Sequence, residues 1–143
     1  MKKIIFLLLV LVSGFAISTK SQCPELLKNN NINHLLKPFN FDGLFNCETL
    51  TKGEGVVMYK TFFEGLRYRL KVISSGASDK FIIEIFDLKN NLLFSNKNDK
   101  TTRMWDFTPE SSIQVVVFIT LSESDEKSSN VALVSGFKEV INE

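Results

Sequence analysis

The chain has 143 residues, with 17 Lys and Arg against 16 Asp and Glu, one His, two Cys, three Pro, one Trp and thirteen Phe. That length suits one domain, and 44% apolar content is enough to bury a real core, so disorder does not describe it. The near-zero charge removes the electrostatic basis of nucleic-acid binding, and one His with two Cys cannot build a common four-ligand zinc site.

Lys2 and Lys3 precede nine consecutive apolar residues, Ile4 to Val12, and then Ser13, Gly14 and the small-residue pattern Ala16-Ile17-Ser18. A basic start, a short apolar run and a small-residue cleavage site are the layout of a secretory signal peptide over residues 1–18. Even Ile4 to Ile17 is only fourteen residues, with Ser and Gly inside, whereas a membrane-crossing helix needs about 20. Lys20, Ser21 and Gln22 stand before Cys23, where a lipid-modified cysteine would be preceded by small residues. Cleavage after Ser18 leaves fifteen basic against sixteen acidic groups and places the chain in the periplasm or outside the cell.

Export changes the meaning of Cys23 and Cys47. An oxidising compartment favours pairing them, with two buried free thiols as the alternative. A catalytic cysteine would have only His34 as its base, and no further signature supports that pair. Residues 19–52 read as a helical segment. Leu26, Leu27, Ile32, Leu35 and Leu36 follow a helical period, Pro24 suits a first turn and Pro38 a stop. The run Asn29-Asn30-Asn31 weakens the middle, so two short turns fit as well as one helix. His34 then reads as a partly exposed helix residue.

After Gly55 the period becomes two. Val56 to Phe63 is dense in β-branched and aromatic residues, and Leu66, Tyr68, Leu70 and Val72 alternate with Arg67, Arg69 and Lys71. Residues 74–79 form a loop, after which Phe81, Ile83 and Ile85 alternate with Ile82, Glu84 and Phe86. Lys89-Asn90-Asn91 reads as a tight turn into a short strand at Leu92 to Ser95. Trp105 and Phe107 share one face of the next strand. Ile113 to Leu121 is apolar on both faces, as a central strand covered on both sides would be, and Val131 to Phe137 is a last strand broken by Gly136. Seven or eight strands with turn signals between them, and no crossover helix, predict a mainly β domain over residues 53–143. The expected architecture is an antiparallel two-sheet sandwich, jelly-roll-like, behind a short N-terminal helical segment.

Phe62-Phe63-Glu64-Gly65-Leu66-Arg67-Tyr68, Ile83-Glu84-Ile85-Phe86-Asp87 and Asn91-Leu92-Leu93-Phe94-Ser95-Asn96 resemble the opening strand and next hairpin of bacterial pre-peptidase C-terminal-type sandwiches. Over roughly Cys23 to Lys138 the chain is similar to small secreted Bacteroidetes-type proteins that join a cysteine-starting helical segment to such a sandwich. Glu64 departs from that pattern, which has a basic residue before the glycine, and Ser111-Ser112-Ile113 replaces its usual Gly-x-Tyr. The resemblance implies an accessory module with no catalysis of its own.

The residues agree with that implication. No nucleophile elbow, zinc-binding HExxH, phosphate-cradling glycine loop or EF-hand loop is present, and no cofactor or metal is expected. Weak calcium binding would require Asp79, Asp87, Asp99 and Asp106 to converge at one end of the sandwich. The candidate ligand-binding residues are the basic row Arg67, Arg69 and Lys71 together with Trp105 and Tyr59, which can stack on sugar rings if exposed. A simple hairpin about the 74–79 loop would instead set Arg69 opposite Glu84 as a surface ion pair. Three functions follow: a non-catalytic module binding a protein, a glycan or an envelope component; an assembly subunit pairing at a sheet edge; or a small hydrolase using Glu48, Glu54 or Glu64.

Overall fold

The computed structural model describes residues 23–140, so the leader expected over residues 1–18 lies outside the described residues. Two short helices, α1 (Cys23–Asn29) and α2 (Ile32–Leu36), come first. They part at Asn31, which takes a left-handed backbone that Asn tolerates better than most residues. Eight strands follow: β1 (Asn40–Leu50), β2 (Gly55–Phe62), β3 (Leu66–Ser74), β4 (Lys80–Asp87), β5 (Leu92–Ser95), β6 (Met104–Phe107), β7 (Ile113–Glu123) and β8 (Ser129–Glu139).

The strands form two four-stranded sheets, ordered β1-β8-β3-β6 and β2-β7-β4-β5, with every pairing antiparallel. Nearly every connection crosses from one sheet to the other. Only β4 and β5 are a sequential hairpin within a sheet, turning at Asn90 with its positive φ. This is the jelly-roll arrangement of two interlocked Greek keys.

The topology corrects one expected pairing. β3 and β4 lie in different sheets, so Arg69 stands opposite Asp106 of β6, while Glu84 stands opposite Phe118 of β7. The 74–79 loop carries no two-residue turn chemistry to hold the strands side by side, and it is long enough to cross the ~10 Å between packed sheets.

A second difference lies within residues 19–52, where β1 occupies the later part of a segment whose spacing reads as helical. Its register shifts between Phe41 and Phe45, and Gly43 takes a positive φ there. That bulge destroys the strict alternation by which a strand is recognised. β8 also runs unbroken through Gly136. The glycine is there because the chain leaving α2 crosses β8 at that point. A Cβ on Gly136 would stand 2.9 Å from the Asn40 carbonyl oxygen and 3.1 Å from the Phe39 Cβ.

Between the sheets lies the main core: Met58 and Phe62 of β2, Tyr68, Leu70 and Val72 of β3, Phe81, Ile83 and Ile85 of β4, Val115, Val117, Ile119 and Leu121 of β7, and Val131 and Leu133 of β8. The outward residues of the β1-β8-β3-β6 sheet meet a second cluster, in which Leu26, Ile32 and Leu36 of the helices cover Ile73, Ala132 and Val134. We call this the capped sheet. Cys23 and Cys47 form a disulfide that ties α1 to β1, with their Cα atoms 6.0 Å apart. Among the described residues nothing covers the β2-β7-β4-β5 sheet in this way, and we call it the bare sheet. β7 is therefore buried on one face only, not on both: Val115, Val117, Ile119 and Leu121 point inward, while Phe118 is exposed.

Candidate functional site

Strand alternation puts Arg67, Arg69 and Lys71 together on the outer face of β3, but they do different jobs. Arg69 holds Asp106 with two hydrogen bonds of 2.7 Å, from Nε and Nη2. Its Nη1 donates to the Lys37 carbonyl at 2.7 Å, and its guanidinium lies 4.5 Å over the Phe39 ring. Arg69 thus binds the edge strand β6 and the end of the helical cap to β3, a structural role. Lys71 is half-buried, and that burial together with Arg69 and Arg103 holds its ammonium below the usual lysine range. Arg67 reaches Asp106 only at 3.9 Å and keeps its side chain 48% exposed.

The Asp106 carboxyl is held below its ordinary range, chiefly by the Arg69 hydrogen bonds against a smaller desolvation effect, with further help from the charges of Arg69, Arg67 and Lys138. A carboxyl depressed in the folded state adds stability above its unfolded pKa of about 3.9, and that stability is lost as pH falls through the folded value. Asp106→Asn is accordingly expected to flatten the acid side of the stability–pH curve. At neutral pH it should cost about 2 kcal/mol, the scale of hydrogen bonds to a charged group. Urea titrations between pH 2.5 and 7 check this, and an unchanged acid limb in the variant would refute the assignment.

Trp105 and Tyr59 are not brought together. Trp105 points between the sheets at their open edge, stacked at 4.6 Å on Phe107 and at 5.8 Å on Phe94. Its half-buried ring is part of the core margin. Tyr59 is on the outer face of the bare sheet, on strand β2.

Around Tyr59 the register assembles what single strands do not reveal. Tyr59 stands opposite Val116, Val116 opposite Phe86, and Phe86 opposite Leu92, so one apolar row crosses all four strands. Val57 lies opposite Phe118 in the next row, which Glu84 continues on β4, and Ile82 stands one row further, opposite Thr120. Phe86 and Phe118 meet edge to face at 5.7 Å. Tyr59 is 60% exposed, Leu92 54%, Val57 46% and Phe118 40%. The one carboxylate in this set of rows, Glu84, is neutralised by Lys97 at 2.8 Å. Contiguous apolar surface of this kind marks interaction sites on folded proteins. Sequence reading singled out Tyr59 alone, because apolar residues on both faces of β7 also suit a strand covered on both sides.

The four aspartates considered for calcium do not converge. Asp106 is held by Arg69, and Asp79 is buried, accepting from Ser129 Oγ. Asp87 accepts from the Lys89 and Asn91 amides of its own hairpin, and Asp99 from Thr101 and Thr102. Among the described residues no group of three or more His, Cys, Asp or Glu is placed to hold a metal. The carboxylates considered for hydrolysis are also scattered. Glu54 and Glu64 lie just beyond opposite ends of β2, about 30 Å apart at a strand's rise per residue. Glu54 caps the turn before β2 by accepting from the Thr51 amide. Neither these two nor Glu48 lines the open clefts at Arg67 and at Ser74. His34 is exposed on α2, and both cysteines are spent in the disulfide.

The described residues form a jelly-roll sandwich with a disulfide-tied helical cap on one sheet and an uncovered apolar face on the other. No protein-family model matches the sequence, and no curated protein matches it. Among solved structures, Aeromonas hydrophila PliG, a periplasmic lysozyme inhibitor of g-type lysozyme, is similar at 12% identity and a TM-score of 0.48, covering 71% of this chain and 90% of that one. Among the described residues no helix is long and apolar enough to cross a membrane.

Proposed function

We propose that this chain is an exported, non-catalytic β-sandwich module that binds another protein through the outer face of the bare sheet. The observation that carries this reading is the asymmetry of the two outer faces. The helices and the disulfide cover Ile73, Ala132 and Val134 at the centre of one sheet, whose exposed apolar residues Leu44, Phe45 and Met104 lie on its edge strands. Tyr59, Val57, Phe118 and Leu92 of the other sheet belong to a patch across all its strands that is left in water. The disulfide supports export, since such bonds persist in oxidising compartments. So does the basic and apolar start of the chain. The face presents aromatic rings and no unpaired carboxylate, so the matching surface is apolar and uncharged, with aromatic anchors of the kind that dominate protein interfaces. An accessory role of this sort agrees with the resemblance to pre-peptidase C-terminal-type sandwiches.

The sheet edges do not favour assembly by strand addition. β2 points Lys60 inward, 3.9 Å from Asp42, and burial holds its ammonium below the usual range against the pull of that carboxylate. β1 is bulged, and β5 and β6 are four residues long. Inward charges, bulges and short strands are the devices that discourage edge pairing.

The test is a photo-crosslinking residue at position 59, with position 67 on the other sheet as control, in cells that express the protein. The captured partner is then purified and the complex rebuilt. Tyr59→Ser and Phe118→Ser are expected to weaken that complex at least tenfold, with a stability change of no more than about 0.5 kcal/mol for the exposed Tyr59 and about 1 kcal/mol for Phe118, which loses its ring contact with Phe86. A partner captured equally at both positions, or a complex indifferent to both substitutions, overturns the reading. Crosslinks between two copies of the chain would identify the partner as the protein itself.

A further inference from the structure

On the capped sheet, away from the aromatic face, an open cleft of about 570 Å³ lies at the lower end of β3 and β8. Its two cations, Arg67 and Lys138, stand directly opposite each other on these neighbouring strands. Like charges in that position repel and destabilise a sheet. The fold relieves them only in part, through the charge of the Asp106 carboxylate that both of them feel. Asp106 is engaged in its two hydrogen bonds with Arg69, and Arg67 approaches it no nearer than 3.9 Å. Lys138 rests its ammonium 5.2 Å over the Phe39 ring, and none of the ion pairs among the described residues involves it. Lys71 and Arg69 extend the positive field along β3.

Neutral polar residues complete the cleft: Asn40 and Thr108 line it together with the two cations. Val140 supplies an apolar wall, while strand alternation turns Phe137 to the opposite side of β8 from Lys138, toward the core between the sheets. Glu139 is at the rim, and strand alternation turns it to the opposite side of β8 from Lys138. A guanidinium is suited to gripping two oxygens at once, and an ammonium adds a mobile point charge. From this juxtaposition we infer that the cleft is a binding site for an oxyanion, a carboxylate or phosphate, carried on a ligand whose apolar part lies against Val140. The anion relieves the repulsion between Arg67 and Lys138, and the wall discriminates between a bare ion and a substituted one. This site is separate from the face proposed for protein binding, so each can fail without the other.

The experiment is a titration of the isotope-labelled protein followed by amide NMR, with four probes: inorganic phosphate, acetate, phenyl phosphate and benzoate. Saturable shifts are expected at Asn40, Thr108 and residues 137–140. Phenyl phosphate or benzoate should bind at least fivefold more tightly than its bare counterpart, and whichever of the two binds better identifies the anion. Arg67→Gln and Lys138→Gln are each expected to weaken binding at least tenfold, whereas Lys97→Gln, in the turn after β5 of the other sheet, leaves it unchanged. Added chloride should weaken binding of the unsubstituted protein progressively, a readout that needs no variant. Shifts that rise linearly without saturation, that spread over both sheets, or that survive both cleft substitutions overturn the assignment. Equal affinity for bare and substituted anions removes the apolar wall from it.

Discussion

Replacing Cys23 and Cys47 together by Ser is expected to lower the unfolding free energy by roughly 3 kcal/mol. The bond joins residues 24 apart, and in the chain-entropy account a loop of that length, left open in the unfolded chain, costs about that much. The effect should fall unevenly. α1 and α2 are seven and five residues long, far too short to hold a helix alone. They persist because Leu26, Ile32 and Leu36 bury themselves on Ile73, Ala132 and Val134, and because the disulfide fixes their start. Hydrogen exchange in residues 23–36 should therefore accelerate more than in β7, which is held from both sides by neighbouring strands. The measurement is urea unfolding with exchange mass spectrometry. A double variant with an unchanged midpoint, or one that loosens β7 as much as the helices, would contradict this account.

A larger loss is expected from Phe62→Ala, about 4 kcal/mol on the scale of buried aromatic truncations. Phe62 is on β2 of the bare sheet and inserts between the sheets, its ring 4.6 Å from Tyr68, 5.6 Å from Phe107 and 6.4 Å from Trp105. Tyr68 and Trp105 belong to the capped sheet, so one side chain joins both layers at the margin where short β6 closes the core. Tyr68 also accepts the Phe63 amide proton through its hydroxyl at 3.0 Å, which holds the turn after β2 in place. Truncating Phe62 leaves a cavity and releases that tether. Phe62→Leu, which fills more of the space, should cost clearly less. Phe63→Ala, one residue on and exposed, should cost no more than about 0.5 kcal/mol. Equal losses at 62 and 63 in thermal or urea unfolding would mean that β2 is set in the wrong register.

The neighbouring phenylalanines also show how much of the fold is legible in the sequence. Alternation in Val56 to Phe63 and Leu66 to Ile73 is a local property, visible wherever one face of a strand meets a core and the other meets water. It fails where the backbone is irregular, as at the bulge that hides β1. It is also ambiguous where both faces are apolar. Val116 and Phe118 carry the same hydrophobicity whether a third layer covers them or a partner does, and only the position of the helices decides between these. The basic row has the same limit. Arg67, Arg69 and Lys71 are equivalent by spacing, yet Asp106, thirty-seven residues from Arg69, makes one of them structural and leaves another exposed.

The sequence alone determined what depends on short-range chemistry. That covers the alternation within strands and the Asn-rich turn at 89–91; it favoured pairing the two cysteines, where no other thiols compete, and left one helix or two short ones open before β1. The tertiary structure decided which strands are neighbours, and so which side chains share a surface. Strand pairing within a jelly roll joins segments far apart in the chain, at little difference in energy between one crossover and another, so no local pattern announces it. The row from Tyr59 to Leu92 and the facing cations Arg67 and Lys138 both exist only after that choice is made.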